Sequence, residues 1–150
     1  MKESIDTIET LNDLIETCKN GEYGFRECAG YARDAQLKAT FEARSEECRA
    51  AAAQLQVHVR ELGGKPDLGG SMTGALHRGW VTARYTLSSD HDLALLEECE
   101  RGEDAALESY REALRQEMPL PVRNLVEAQY QGVKQNHDVI RRLRDSQRAA

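Results

Sequence analysis

Apolar side chains recur at alternating spacings of three and four residues along four long stretches of the chain. The first stretch carries this seam in Ile8, Leu11, Ile15, Cys18, Glu22, Phe25 and Ala29. Seams of this kind are buried when long helices pack side by side, and no stretch shows the strict alternation of a strand. The pattern predicts an all-α protein with long helices at about 4–33, 37–62, 89–117 and 121–146.

Glycine and proline mark the ends of these helices. The run GGKP at 63–66 stops the second helix, and MPLP at 118–121 separates the last two, because glycine suits a helix end and proline a helix start. A weaker break at 34–36 predicts a short turn between the first two helices. Short turns join antiparallel neighbours, so we expect two helical hairpins in an antiparallel four-helix bundle, a single domain covering 1–150.

A long crossover must connect the two hairpins. Ser71 is a suitable N-cap, and the residues after it predict an extra, shorter helix at about 71–87. Its apolar face includes Trp80. We expect this face to pack across the open side of the bundle.

The two halves of the chain align at an offset of 81 residues. Cys18 then falls on Cys99, Gly21 on Gly102 and Glu22 on Glu103. Matches at such irregular intervals indicate two related hairpins, with a pseudo-twofold axis between them.

Two glutamates, Glu22 and Glu103, interrupt apolar seams at equivalent places. A core carboxylate costs several kcal/mol unless it is paired, protonated or bound to a cation. Folding each hairpin at its turn brings Glu22 to the level of Glu46 and Glu103 to the level of Glu127. The sequence therefore predicts four carboxylates that converge near the middle of the bundle.

This arrangement resembles the ferritin-like superfamily, whose di-iron carboxylate site takes a Glu from each of two helices and Glu-x-x-His from each of the other two. More closely, the chain resembles a bacterial family of small four-helix-bundle proteins of unknown function, through NGEYGFRE at 20–27, HRGW at 77–80 and ERGE at 100–103. The resemblance covers nearly the whole chain and implies the fold.

The chain departs from the di-iron pattern at both histidines. Arg49 follows Glu46, and Tyr130 follows Glu127, where the pattern has His. Arginine is always cationic and cannot ligate a metal. We therefore expect a lapsed metal site, converted into a polar core network of Glu22, Glu46, Arg49, Glu103, Glu127 and Tyr130.

Two functions remain open at this point. The leading hypothesis is a non-enzymatic ferritin-like bundle without a cofactor, acting by interaction or storage in a bacterial stress setting, where the stress setting rests on family analogy. The alternative is a di-iron or di-manganese protein, an oxidase or iron-handling protein, which would use Glu22, Glu46, Glu103 and Glu127 as ligands.

Charge and composition limit the possible partners and cellular location of the protein. The net charge of −6, without a basic stripe, argues against nucleic acid as a partner. The chain has no signal-like start and no apolar run of the ~20 residues that span a bilayer, so we expect a cytoplasmic protein without membrane contact. The four cysteines form no C-x-x-C pair and are expected to be reduced core residues. An unidentified protein partner or a homodimer is compatible with the long helices.

Overall fold

The computed structural model describes residues 2–68 and 91–149. Four helices account for most of them: α1 at Lys2–Tyr31, α2 at Ala35–Glu61, α3 at His91–Leu114 and α4 at Leu120–Ala149. No strand occurs in these two ranges. The predicted boundaries of the four long helices agree with the structure to within a few residues. The predicted shorter helix at 71–87, with Trp80, lies outside the described residues.

The helices pack as two antiparallel hairpins. Contacts are extensive between α1 and α2 and between α3 and α4, and α1 also packs along α3. In contrast, α2 and α4 touch only sparsely. The predicted antiparallel four-helix bundle is therefore confirmed, with one side, between α2 and α4, less closed than the others.

Glycine ends α2 as the sequence predicts. Gly63 has a φ of +84°, a left-handed conformation that glycine adopts without steric cost. The amide of Gly63 donates to the carbonyl of Arg60 at 2.9 Å, and that of Gly64 donates to the carbonyl of Val59 at 2.9 Å. These bonds satisfy carbonyl groups that the helix end would leave open.

The turn between α1 and α2 is fastened to the start of α3. Asp34 caps α2 by accepting a hydrogen bond from the Leu37 amide at 2.9 Å. The two carboxylate oxygens of Asp92 accept from the amides of Arg33 at 2.9 Å and Asp34 at 3.0 Å. His91 Nε2 donates to the Tyr31 carbonyl at 2.5 Å. Because these bonds join the two hairpins, they fix the position of α3 along α1.

The core consists of two apolar clusters. One is built around Leu11, Leu14, Ile15, Leu55, Val59 and Val126. The other is built around Phe25, Leu37, Phe41, Leu95, Leu96 and Ile140. Cys18 belongs to the first cluster and Cys48 to the second. The residues between the clusters are where buried polar side chains meet. No helix in the described ranges is both long and apolar enough to cross a membrane.

Candidate functional site

A buried ion pair joins α2 to α3 at the centre of the bundle. Arg44 Nε donates to Glu103 Oε1 at 3.3 Å, and the two side chains are only 9% and 2% exposed. Asn136 Nδ2, from α4, donates to the same carboxylate oxygen. Arg44 also donates from Nη1 to Glu47 Oε2 at 2.8 Å, and its guanidinium lies over the Phe25 ring at 5.9 Å from the centroid. Two other helices, α2 and α4, thus supply hydrogen-bond donors to one carboxylate of α3.

Two opposing effects act on Glu103. Burial raises the pKa of this carboxyl above its ordinary value of 4.5, while the charge of Arg44 and the hydrogen bond from Asn136 act in the opposite direction. Burial disfavours the charged form, and a nearby cation favours it. The guanidinium keeps its charge at all accessible pH values. Arg44 is therefore the group that allows a carboxylate at this depth.

A chain of hydrogen bonds links all four helices beside this pair. Tyr110, on α3, donates from its hydroxyl to Gln129 Oε1, on α4, at 2.8 Å. Gln129 Nε2 donates across to α2, to the Ala51 carbonyl at 3.2 Å and to Gln54 Oε1 at 3.0 Å. The Cys18 thiol, on α1, lies 3.1 Å from the Tyr110 hydroxyl. Since that hydroxyl already donates to Gln129, it accepts from the thiol.

A cavity of about 260 Å³ lies between the ion pair and this chain. Arg44 and Glu103 line one part of it, and Tyr110 and Gln129 line another. Seven other lining residues are glycine or alanine: Gly21, Gly102, Gly132, Ala50, Ala51, Ala105 and Ala106. The cavity reaches the side where α2 and α4 touch only sparsely. A packed protein interior holds few voids larger than a water molecule, so this space is the main departure from close packing near the site.

Gly21 permits the close approach of α1 and α2 here. A Cβ at this position would lie 3.0 Å from Cys48 Sγ, which is closer than ordinary contact. The thiol of Cys48 therefore fills the space that a side chain at position 21 would need. As a result, the buried side of α1 at this level is Gly21, and Glu22 sits beside it at the edge of the bundle.

All four cysteines are free and buried, as the sequence predicts. Burial raises the pKa of the Cys18 thiol to about 11. Burial also raises the pKa of Cys48 and of Cys99. A thiol that stays protonated is a poor nucleophile and a poor metal ligand, so these groups act as small apolar side chains.

The chain was compared with known families and structures. Residues 6–116 match the family model described as "Domain of unknown function (DUF2383)". The chain belongs to the DUF2383 family. No curated protein matches it.

Solved structures show which fold this DUF2383 chain has. A Dps1 mutant from Mycobacterium smegmatis superimposes with a TM-score of 0.80 at 15% identity, covering 95% of this chain and 97% of that one. The tetragonal form of Mycobacterium smegmatis Dps gives a TM-score of 0.76 at 16% identity, covering 93% of this chain and 86% of that one. Identity this low shows the fold alone, and the predicted ferritin-like four-helix bundle is confirmed.

The six residues of the predicted polar network do not come together in the structure. Glu103 is buried, as expected. Glu22 is 15% exposed and pairs along its own helix, with Lys19 at 3.2 Å and Arg26 at 3.6 Å. It therefore finds its cations at the edge of α1, away from the centre.

The placement expected for Glu46 and Arg49 in the bundle interior is wrong. They pair with each other on the surface, Arg49 Nη2 to Glu46 Oε1 at 2.5 Å, with 51% and 63% of the respective side chains exposed. The reason is angular. A helix turns about 100° per residue, so Glu46 points roughly opposite to the buried positions Arg44 and Cys48.

Glu127 and Tyr130 also lie away from Glu103. Glu127 is exposed and accepts from Gln131 Nε2 at 3.0 Å. The Tyr130 hydroxyl accepts from Arg111 Nε at 3.1 Å, and the Lys134 ammonium lies 5.3 Å from the centroid of the Tyr130 ring. The buried network does exist, but it has other members: Arg44 replaces Arg49, and Asn136 and Gln129 supply the amides.

The donor set at the centre does not fit a pair of metal ions. Within residues 3–68 and 91–149, no three His, Cys, Asp or Glu side chains are grouped so that they could hold a metal ion. Glu103 is the one buried carboxylate of the predicted four, and its nearest charged neighbour is a permanent cation. A di-iron carboxylate site needs several carboxylates at one point, and a guanidinium there opposes a second cation.

Proposed function

We propose that this chain is a non-enzymatic ferritin-like bundle, in which a buried ion pair occupies the position where related bundles place metal ligands. The observation that carries the proposal is the contact between Arg44 and Glu103 in the interior, completed by Asn136. Guanidinium and carboxylate neutralise each other there, so the charges at the centre of the bundle are compensated without a metal ion. Such a centre supplies no Lewis acid and no free base.

The arrangement of the other carboxylates supports the same proposal. Glu46 and Glu127 are exposed, and Glu22 is held by two cations of its own helix. Bringing them to Glu103 would require rotation of whole helices against the apolar clusters. That rotation would expose core residues, and each large apolar side chain moved into water costs about 1.5–3 kcal/mol.

The role we propose is interaction or storage in a bacterial stress setting within the cytoplasm. Family analogy supports this setting, through the structural likeness to Dps from Mycobacterium smegmatis. We propose that the long helices bind a protein partner or a second copy of the chain. An acidic net charge of −6 favours a protein partner over nucleic acid.

Metal analysis tests this proposal. The full chain is purified without chelators, its metal content is measured, and the chelated protein is then titrated with Fe(II) in air. We expect no stoichiometric metal, no Fe(II) oxidation above the rate in buffer, and an unchanged circular dichroism spectrum after chelation. The apolar clusters support the helices by themselves, so metal removal does not unfold them.

Two matched variants identify the carboxylates on which any metal binding depends. Glu103→Gln removes the carboxylate of the buried ion pair, whereas Glu127→Gln removes an exposed one. Saturable binding of two metal ions per chain, abolished by Glu103→Gln and kept by Glu127→Gln, would establish a centre built on the buried carboxylate and overturn the proposal. Equal loss of such binding in both variants would instead favour the di-iron or di-manganese alternative that uses all four glutamates.

A further inference from the structure

We propose that the central cavity binds a small uncharged molecule, which combines an apolar body with one hydrogen-bond acceptor such as a carbonyl oxygen. This inference goes beyond the proposed function, because the cavity is present whether or not metal binds elsewhere. It rests on the volume of the cavity, on one unused donor of Arg44, and on the balance of charge around that donor.

The volume fits a substituted ring. An apolar cavity of about 150 Å³ is large enough to take up benzene, and this cavity measures about 260 Å³. Glycine and alanine form a large part of its wall, including Gly21, Gly102 and Gly132. Their short side chains leave space that larger residues would fill, so an apolar guest gains contacts that the protein itself does not make.

Arg44 provides the hydrogen-bond donor for the ligand. Its guanidinium has five N–H donors and lines the cavity with only 9% of the side chain exposed. Nε donates to Glu103 and Nη1 to Glu47. Nη2 makes no hydrogen bond to any residue in the described ranges 3–68 and 91–149. Nη2 is not among the buried side-chain atoms that lack a partner in these ranges, so it is open to water, and a ligand acceptor could take the place of that water in a charge-assisted hydrogen bond.

The charges around this donor select a neutral ligand. Arg44 faces two carboxylates, Glu103 and Glu47, so its positive charge is already compensated. An anion would lose hydration and then meet both carboxylates, while an ammonium group would meet the guanidinium. A carbonyl oxygen accepts from Nη2 without bringing a charge into the interior. Uncharged acceptors are therefore favoured over ions of either sign.

Between α2 and α4, the exposed residues Ala50 and Gln54 line the cavity. These helices touch only sparsely, and the Gln129 side chain bridges them with single hydrogen bonds to Ala51 and Gln54. Gly132 lines the cavity from α4, and a Cβ added there would meet nothing within 4 Å. A larger side chain at position 132 can therefore fill this space without disturbing the helices.

Three matched probes test the proposal on the full chain after any metal has been removed with a chelator. The result is then independent of the metal-binding experiment. The probes are acetophenone, ethylbenzene and benzoate, which share a ring and differ in having a neutral acceptor, no acceptor or a negative charge. Binding is followed by ligand-observed NMR and by amide shifts in ¹H–¹⁵N spectra. We expect acetophenone to bind at least about tenfold more tightly than ethylbenzene, because it gains one hydrogen bond to a charged donor, and benzoate to bind most weakly.

Variants then locate the binding. Gly132→Leu fills the cavity and should weaken acetophenone binding by about tenfold or more. Gly30→Leu is the matched control, because Gly30 is also helical and has open space around its Cβ, but it is exposed and outside the cavity. Arg44→Lys keeps the positive charge beside Glu103 and removes the Nη2 donor, so acetophenone should fall to the affinity of ethylbenzene. If Gly132→Leu does not fold, Ala50→Leu, at an exposed lining position of α2, closes the cavity from the other side.

Each contrary result overturns the proposal. Absence of acetophenone binding, or binding unchanged by the cavity-filling variant, would show that the cavity is not a site. Preference for benzoate would show that the guanidinium is not compensated and would refute the charge argument. Equal affinity for acetophenone in wild type and Arg44→Lys would remove the assigned role of Nη2.

Discussion

Replacing Arg44 by methionine is the most direct test of the polar centre. Methionine keeps an unbranched side chain of similar reach and removes the charge. Glu103, 2% exposed, would then keep only the hydrogen bond from Asn136. Removing one partner of a buried ion pair typically costs about 3–5 kcal/mol, because the other charge is left without compensation. We expect a loss of this size in the free energy of unfolding at pH 7.

The loss should depend on pH, with a sign that follows from the pKa of Glu103. Burial already raises this pKa above 4.5, and Arg44 opposes the rise. In Arg44→Met that opposition is gone, so the native pKa rises further above its unfolded value. The native state then binds the additional proton, and stability falls as pH increases from about 4.5 upward. Each unit of additional pKa corresponds to about 1.36 kcal/mol at high pH.

Urea unfolding followed by circular dichroism at several values between pH 4 and pH 8 measures both effects. Arg49→Met is the matched control, because Arg49 is on the same helix and also pairs with a glutamate three residues away, but at the surface. We expect its unfolding midpoint to stay at the wild-type value. The double variant Arg44→Met with Glu103→Gln should recover most of the loss, since it leaves no unpaired charge at position 103. Equal losses in Arg44→Met and Arg49→Met, or a loss that is the same at every pH, would refute the assignment.

Two further predictions concern packing around the cavity. All four cysteines are buried, and burial raises the pKa of the Cys18 thiol to about 11. A thiol reagent such as Ellman's at pH 8 should therefore label the native chain slowly and all four cysteines in urea; rapid native labelling would contradict their burial. Gly21→Ala should destabilise by about 1–3 kcal/mol through its clash with Cys48, whereas Gly132→Ala should stabilise by up to about 1 kcal/mol, both measured by urea unfolding. If a second change, Cys48→Ala, restores the stability lost in Gly21→Ala, the loss comes from the contact between these two residues. If stability is not restored, that contact is not the cause.

The fold could be predicted from the sequence because its signals are repeated along the chain. The apolar seam of α1 alone includes seven positions, and the glycines at 63 and 64 end α2 where expected. Burying such seams against each other leaves few alternatives to a bundle. The ends of the last two helices are the least well predicted: α3 ends at Leu114 instead of 117, and α4 ends at Ala149 instead of 146, where its last residues are exposed.

The candidate site follows less directly from the sequence, because the level of a residue along a helix does not give the direction of its side chain around the helix axis. Glu46 and Glu127 do lie in helices that pack beside Glu22 and Glu103, but their side chains point to solvent. The residues that reach the centre share the phase of the apolar seam. Arg44 lies three residues after the buried Phe41, and Asn136 lies three after Val133 and four before Ile140. A polar residue at a seam position is therefore the sequence feature that indicates a member of the buried network.

The internal repeat explains why one of its two glutamates is buried and the other is not. Under the 81-residue offset, Glu22 corresponds to Glu103, but Arg44 corresponds to Leu125. The first hairpin therefore provides a cation that crosses to Glu103, and the second hairpin provides none for Glu22. A carboxylate without such a partner cannot stay in the interior, and Glu22 instead meets Lys19 at the edge of α1. A single arginine, present in only one half of the repeat, thus accounts for the burial of Glu103 and not of Glu22.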